Sequence, residues 1–144
     1  MSIEDCAYIA GIFDGEGTAQ IQTHRSKGCR LGYNISPRIQ IPNNNKSLID
    51  WIHEKIPEFT LWKRSPRKIT HATSYVLVIS RADNIIEFIN QIFPYLIVKR
   101  EQCKLILEYC HMRLEKRKTN NNAPLGNQEI EMYNKMKILN REGE

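Results

Sequence analysis

No run of apolar residues in this 144-residue chain is long enough to span a bilayer, and no signal-peptide pattern stands at its start. The cysteines are few. Cys6, Cys29, Cys103 and Cys110 form no CxxC pair, and His24, His53, His71 and His111 complete no zinc pattern. A disulfide-stapled secreted scaffold and a zinc module are therefore both excluded, and reduced cysteines in an intracellular protein are expected. Cys103 and Cys110 lie seven apart on a predicted helix, a spacing that suits two core residues. At this length the chain reads as one domain with a sizeable core.

Acidic residues are missing from two long blocks. From Thr18 to Ile49 there is no Asp or Glu, while Arg25, Lys27, Arg30, Arg38 and Lys46 are present. From Phe59 to Ala82 there is again none, while Lys63, Arg64, Arg67, Lys68 and Arg81 are present. All sixteen acids lie elsewhere, and the net charge is +5. A solvated face normally mixes signs, so two acid-free basic blocks imply a surface for a polyanion. No basic amphipathic helix carries this charge, which favours nucleic acid over a membrane surface.

Hydrophobic periodicity orders the chain. Ile3–Phe13 reads as a helix, with Ser2 as N-cap and Asp5 in the first turn. Residues 18–23 and 33–41 alternate with period two. Ala19 and Ile21, then Ile35, Ile39 and Ile41, face one way. Gln20, Gln22 and His24, then Asn34, Ser36, Arg38 and Gln40, face the other. Pro37 asks for an irregular or edge position. A helix is expected over 43–56, with an Asn43-Asn44-Asn45 entry and Pro57 as the stop. Strands follow over 59–64 and 73–80. Asp83 or Asn84 can cap the next helix, which Pro94 interrupts. A longer helix from about Val98 to Lys116 buries Leu105, Ile106, Tyr109 and Met112. The expected domain is 1–118, followed by a loop at 119–126 and a C-terminal helical segment at 127–144. This order predicts an α+β fold, an αββαββα core whose antiparallel sheet is covered on one face by helices, with extra C-terminal helices. The uncovered face is polar, basic and acid-free, and such a face fits the DNA major groove.

Tyr8–Thr18, YIAGIFDGEGT, runs an apolar helix into two acids among glycines. An ordinary core helix ending on a glycine C-cap shares this local pattern. Two acids at a helix C-terminus are, however, opposed by the macrodipole, so something positive must compensate them. The small residues Ala10 and Gly11 admit close approach of another backbone, and Ala7 and Asp14 extend that stripe at helical spacing.

The nine residues Ile9–Gly17 resemble the signature of the LAGLIDADG homing endonucleases, and the likeness extends over about 3–112. The resemblance implies a saddle-shaped sheet on double-stranded DNA and cleavage that depends on Mg²⁺ or another divalent cation such as Mn²⁺. One copy of the signature resembles the single-motif members, which act as homodimers, and C2 pairing of the carboxylate helix would supply one metal site per DNA strand. The resemblance makes Glu16 and the Gly15 carbonyl metal ligands, with Glu where many relatives carry Asp. Asp14 braces the helix pair. Ala7, Ala10, Gly11 and Asp14 form the dimer interface. Lys99, in PYLIVKR, matches the active-site lysine; Gln40 and Asn43 join the catalytic set, with Asn43 ordering the attacking water. Asn43 could equally cap a helix, and Lys99 could be a solvated lysine at a helix start.

Gln20, Gln22, His24, Asn34, Ser36, Arg38 and Gln40 are expected on the DNA face, where Gln and Asn suit adenine and Arg suits guanine. Arg25, Lys27, Arg30, Lys46, Arg64, Arg67 and Lys68 are expected at phosphates, although strand parity around Trp62-Lys63-Arg64 stays open. Intron RNA is a further implied partner, and the compartment is wherever the host DNA resides, cytoplasm or organelle. The competing function is that of a non-cleaving DNA- or RNA-binding relative such as an intron maturase. An unrelated RNA-binding fold is disfavoured, because no RRM-type aromatic motif and no KH-type GxxG appears.

Overall fold

The structure is a computed structural model that describes every residue except 30, 66–72, 121–122 and 143–144. Helix α1 (Ile3–Glu16) leads into strands β1 (Thr18–Arg25) and β2 (Tyr33–Asn43), then α2 (Lys46–Lys55), β3 (Thr60–Arg64) and β4 (Ser74–Ile79). Helix α3 (Ala82–Ile92), a 3-10 turn at Phe93–Tyr95, α4 (Arg100–Thr119) and α5 (Asn127–Glu142) complete the order. The strands form one open antiparallel sheet in the order β1-β2-β4-β3. The α+β class and the element order thus follow the sequence expectation.

Period two does its work in the first hairpin. Ala19, Ile21, Ile35, Ile39 and Ile41 are buried beneath the helices together with Leu77 and Ile79 of β4. Pro37 is tolerated for a positional reason. The last β2–β4 pair is Ile39 opposite Ile79, so at Pro37 the strand has only β1 beside it. Gly32, at φ +77°, makes the left-handed turn that closes this hairpin.

Against the sheet, α1 packs Cys6, Ile9, Ala10 and Phe13, a single helical stripe. The Ser2 hydroxyl caps its start, accepting from the Asp5 amide at 3.1 Å. The Phe13 ring meets Phe88 of α3 edge to face, with centroids 5.9 Å apart, and Phe88 meets Phe59 in the same way at 5.2 Å. Burying an aromatic of this size contributes about 1.5–3 kcal/mol. On α4, Leu105, Ile106 and Tyr109 are buried as expected, as are Cys103 and Cys110. The Tyr109 hydroxyl reaches the Ile35 carbonyl at 3.0 Å, so its polar end is satisfied.

Three local expectations need correction. Asn43 ends β2 instead of opening a helix: it pairs with Tyr75, and Asn45 caps α2 by accepting from the Leu48 amide at 3.1 Å. Neither Asp83 nor Asn84 is the N-cap of α3. That position is Arg81, and Asp83 in the first turn accepts from Arg81 Nη2 at 2.8 Å. Gly17 is extended rather than left-handed at the end of α1. Glycine is required there because a Cβ would fall 2.1 Å from the Phe13 ring.

Helix α5 docks along the free edge of β1. Asn140 donates to the Ala19 carbonyl at 3.0 Å, and Gln102 of α4 donates to the Leu139 carbonyl. Its first turn is pinned by the buried Glu129, which accepts from Arg113 at 3.0 Å, Lys116 at 2.6 Å and the Gly126 amide at 2.8 Å. Burial would raise this carboxyl, but the Lys116, Gly126 and Arg113 bonds hold it down at about 2. No helix among the described residues is long and apolar enough to cross a membrane.

Candidate active site and nucleic-acid interface

The cation that meets the end of α1 is Lys99. Its Nζ donates to the Phe13 carbonyl at 3.1 Å, which also accepts from the Gly17 amide at 2.9 Å, and to the Asp14 carbonyl at 3.0 Å, an orphan acceptor of the helix end. The Asp14 carboxylate in turn accepts from the Ile97 amide at 2.8 Å and the Lys99 amide at 3.0 Å, at the point where α4 begins. Both Asp14 oxygens are therefore occupied within the chain. Burial pushes the Lys99 ammonium below its ordinary pKa, against the pull of Asp14.

Glu16, one turn-end further on, is exposed at the helix tip beside the exposed Gly15. Asn43 donates its side-chain amide to Glu16 Oε2, and among the described residues no partner holds the other oxygen. The Asn43 side-chain carbonyl accepts from the Asn45 amide at 2.7 Å. Asn43 is thus locked in orientation between the start of α2 and the tip of α1.

Three of the four residues expected in the catalytic set, Glu16, Asn43 and Lys99, surround the end of α1. Gln40 is the fourth. It lies on the outer sheet face opposite Thr18, and among the described residues no hydrogen bond links it to the other three. Of the expected interface residues, Ala7 and Gly11 are exposed on α1, but Ala10 turns inward and is fully buried in the chain's own core. The helix pattern alone could not say which small residue faces in.

The outer sheet face follows from register. Gln20 pairs with Arg38, Gln22 with Ser36, His24 with Asn34, and Thr18 with Gln40, so the expected reading residues share one face. Arg25 and Lys27 are exposed at the hairpin end. Lys46 is exposed but engaged by Asp50 at 2.6 Å, one helical turn away. Arg30, Arg67 and Lys68 lie outside the described residues. The open parity of β3 is settled by pairing. Trp62 lies opposite Val76 and Arg64 opposite Ser74, on the outer face, while Lys63 takes the other side. Sequence reasoning therefore missed Trp62, which is 60% exposed there. It also missed Lys137 and Arg141, which line a groove with Gln20 and Gln22 because α5 docks against β1.

A family model described as LAGLIDADG endonuclease matches residues 9–111. No curated protein matches the chain. Among solved structures, the homing endonuclease I-CvuI in complex with the I-CreI target superposes with a TM-score of 0.78 at 18% identity, covering 94% of this chain and 82% of that one. The archaeal intron-encoded homing endonuclease I-Vdi141I, complexed with DNA, gives 0.77 at 16% identity, covering 94% and 84%. The homing endonuclease I-TnaI gives 0.67 at 16% identity over 100% of this chain and 99% of its own. These likenesses establish a shared fold.

Proposed function

The chain belongs to the LAGLIDADG endonuclease family, and we propose that it is a site-specific double-strand DNA endonuclease of the homing type, acting as a homodimer on a long pseudo-palindromic site. The observation that carries this reading is the unequal use of the two signature acids. Asp14 is spent on the chain's own backbone, while Glu16 stands exposed at the helix tip with an oxygen to spare.

A carboxylate beside an exposed backbone carbonyl suits Mg²⁺ or Mn²⁺, since Mg²⁺ is commonly held by one or two carboxylates with the remaining positions left to phosphate and water. Among the described residues no three His, Cys, Asp or Glu side chains cluster to hold a metal, and phosphate oxygens and water would fill the positions that Glu16 and the Gly15 carbonyl leave. Glu16 and the Gly15 carbonyl would hold the ion, which when bound activates water and neutralises phosphate charge. Asn43 keeps the Glu16 carboxylate aimed. Lys99 brings a partly desolvated cation to the same helix end, where it can stabilise charge developing on a phosphate.

Pairing of α1 with a second α1 has its own support. A Cβ at Gly11 or Gly15 would meet nothing within 4 Å. Glycine inside a helix costs about 0.5–1 kcal/mol against alanine, and nothing in the isolated chain explains that cost. Close approach of another helix does. Ile97 and Val98, 83% and 65% exposed and anchored beside α1 through the bonds of Asp14 to residues 97 and 99, add an apolar shoulder to that surface.

Incubating the purified protein with a randomised plasmid library in Mg²⁺ and in EDTA tests the function. Double-strand cuts at one enriched sequence, in Mg²⁺ only, are expected. Selective binding without cleavage in either Mg²⁺ or Mn²⁺ would move the chain to the non-cleaving relatives.

A further inference from the structure

Trp62 stands out on the sheet face turned away from the helices. Beneath it runs a short apolar strip. Val76 is its cross-strand partner, and Val78 is the next residue of β4 on that face. Both are buried, at 1% and 8% exposure, although they lie on the face of Gln40 and Trp62, opposite the helix-covered core. Covering two valines explains an apolar residue at position 62, but a smaller β-branched side chain would suffice. Most of the tryptophan remains in solvent, where its large apolar face is open to a partner.

The surroundings indicate what the partner is. Trp62 lines an open groove of about 560 Å³ with Gln22, Arg38, Thr60 and Arg64. Every one of those neighbours is a hydrogen-bonding or cationic group, and none is acidic. Among the described residues Arg38 Nε is enclosed without a partner, so its terminal nitrogens carry whatever hydrogen bonds the side chain makes to a ligand. A surface that offers amide and guanidinium donors around one exposed apolar ring matches the major-groove edge of DNA. There the one apolar group on the bases is the 5-methyl of thymine.

We propose that Trp62 is a specificity-determining residue that packs against a thymine methyl group, beside the bases addressed by Arg38 and Gln22. The proposal rests on the DNA-endonuclease reading above. It assigns to the β3 edge an apolar readout that the amide-rich β1–β2 hairpin lacks.

The test removes that methyl and nothing else. The duplex that the protein enriches from a randomised library is resynthesised with each thymine in turn replaced by deoxyuridine. The wild type should lose about fourfold in affinity at one thymine per half-site, the worth of one buried methyl group. Trp62→Ala should bind the thymine and deoxyuridine duplexes equally at that position. Should the alanine variant fold poorly, Trp62→Arg keeps an aliphatic stem over Val76 and should show the same indifference. A selected site without thymine, a wild type indifferent at every thymine, or variants that keep the discrimination would each overturn the proposal while leaving DNA binding intact. Enrichment of no duplex would overturn the DNA reading itself, and this proposal with it.

Discussion

Lys99 donates to Asp14 twice, once from its side chain and once from its backbone. The lysine ammonium donates to the Asp14 carbonyl at 3.0 Å, and the Asp14 carboxylate accepts from the Lys99 amide at 3.0 Å. The end of α1 and the beginning of α4 are joined head to tail, each supplying the charge that the other's macrodipole favours.

Lys99→Met should therefore have two separable effects. Loss of the ammonium leaves the Asp14 carbonyl without a donor and the Phe13 carbonyl with the Gly17 amide alone, and should lower stability by about 1–3 kcal/mol. On the proposed mechanism it should also slow cleavage about a hundredfold or more, with a smaller loss of DNA affinity. Single-turnover rates and binding isotherms, both taken well below the variant's melting temperature, separate the two. Equal losses of rate and affinity would make Lys99 a phosphate clamp, and a purely thermal phenotype would leave it a helix-capping residue.

The need for such a cation was readable from the sequence, because two acids at a helix end are electrostatically incomplete. Its identity rested on the signature resemblance, since the contact joins residues more than eighty positions apart. Similar limits explain the misses. In Thr60–Arg64 only Leu61 gives an inward signal, so the parity of Trp62 depends on pairing with β4, a non-local fact. Asn43, Asn44 and Asn45 are chemically alike as caps, and only the Tyr75 pairing assigns Asn43 to the strand. Glu129 reads as a solvated acid because its partners lie a full loop away. The β1–β2 hairpin was legible throughout, since its period-two pattern is local.

Gly11→Leu should abolish dimerisation without unfolding the chain. The open space at this position accommodates the side chain in the free protein, and replacing glycine inside a helix adds up to about 1 kcal/mol of helix propensity. Unchanged or higher thermal stability at monomer concentrations, with a monomer in sedimentation, is the expected pair of results. An intact dimer would show that α1 is not the pairing surface.

Glu129→Gln should loosen α5. The substitution leaves Arg113, itself buried, without its counter-charge, a change that typically costs about 3 kcal/mol or more and lowers Tm by about 10 °C. The pH dependence follows from the depressed carboxyl. Held at about 2 in the folded chain against an ordinary 4.5, it adds stability that is complete above pH 4.5 and drains away as pH falls toward 2. Thermal melts of the wild type should therefore decline steeply over that range, and the variant should decline less. Parallel pH profiles would mean that the Glu129 cluster does not govern the acid limb.

Glu16→Gln should eliminate cleavage while leaving fold and DNA affinity nearly intact. The side chain is exposed, and a glutamine carbonyl can still accept the Asn43 amide, so stability should change by no more than about 0.5 kcal/mol. What disappears is the negative charge that would hold a divalent cation. The wild type should bind its target more tightly when Ca²⁺ or Mg²⁺ is added, and the variant should lose most of that increment. This second readout matters because a carboxylate could also act as a general base, whose loss would stop cleavage but preserve the metal's effect on binding. Loss of both activity and metal-enhanced affinity assigns Glu16 to the cation. Wild-type cleavage by the purified variant would remove Glu16 from the site altogether, and with it the reading of the exposed helix tip as the catalytic centre.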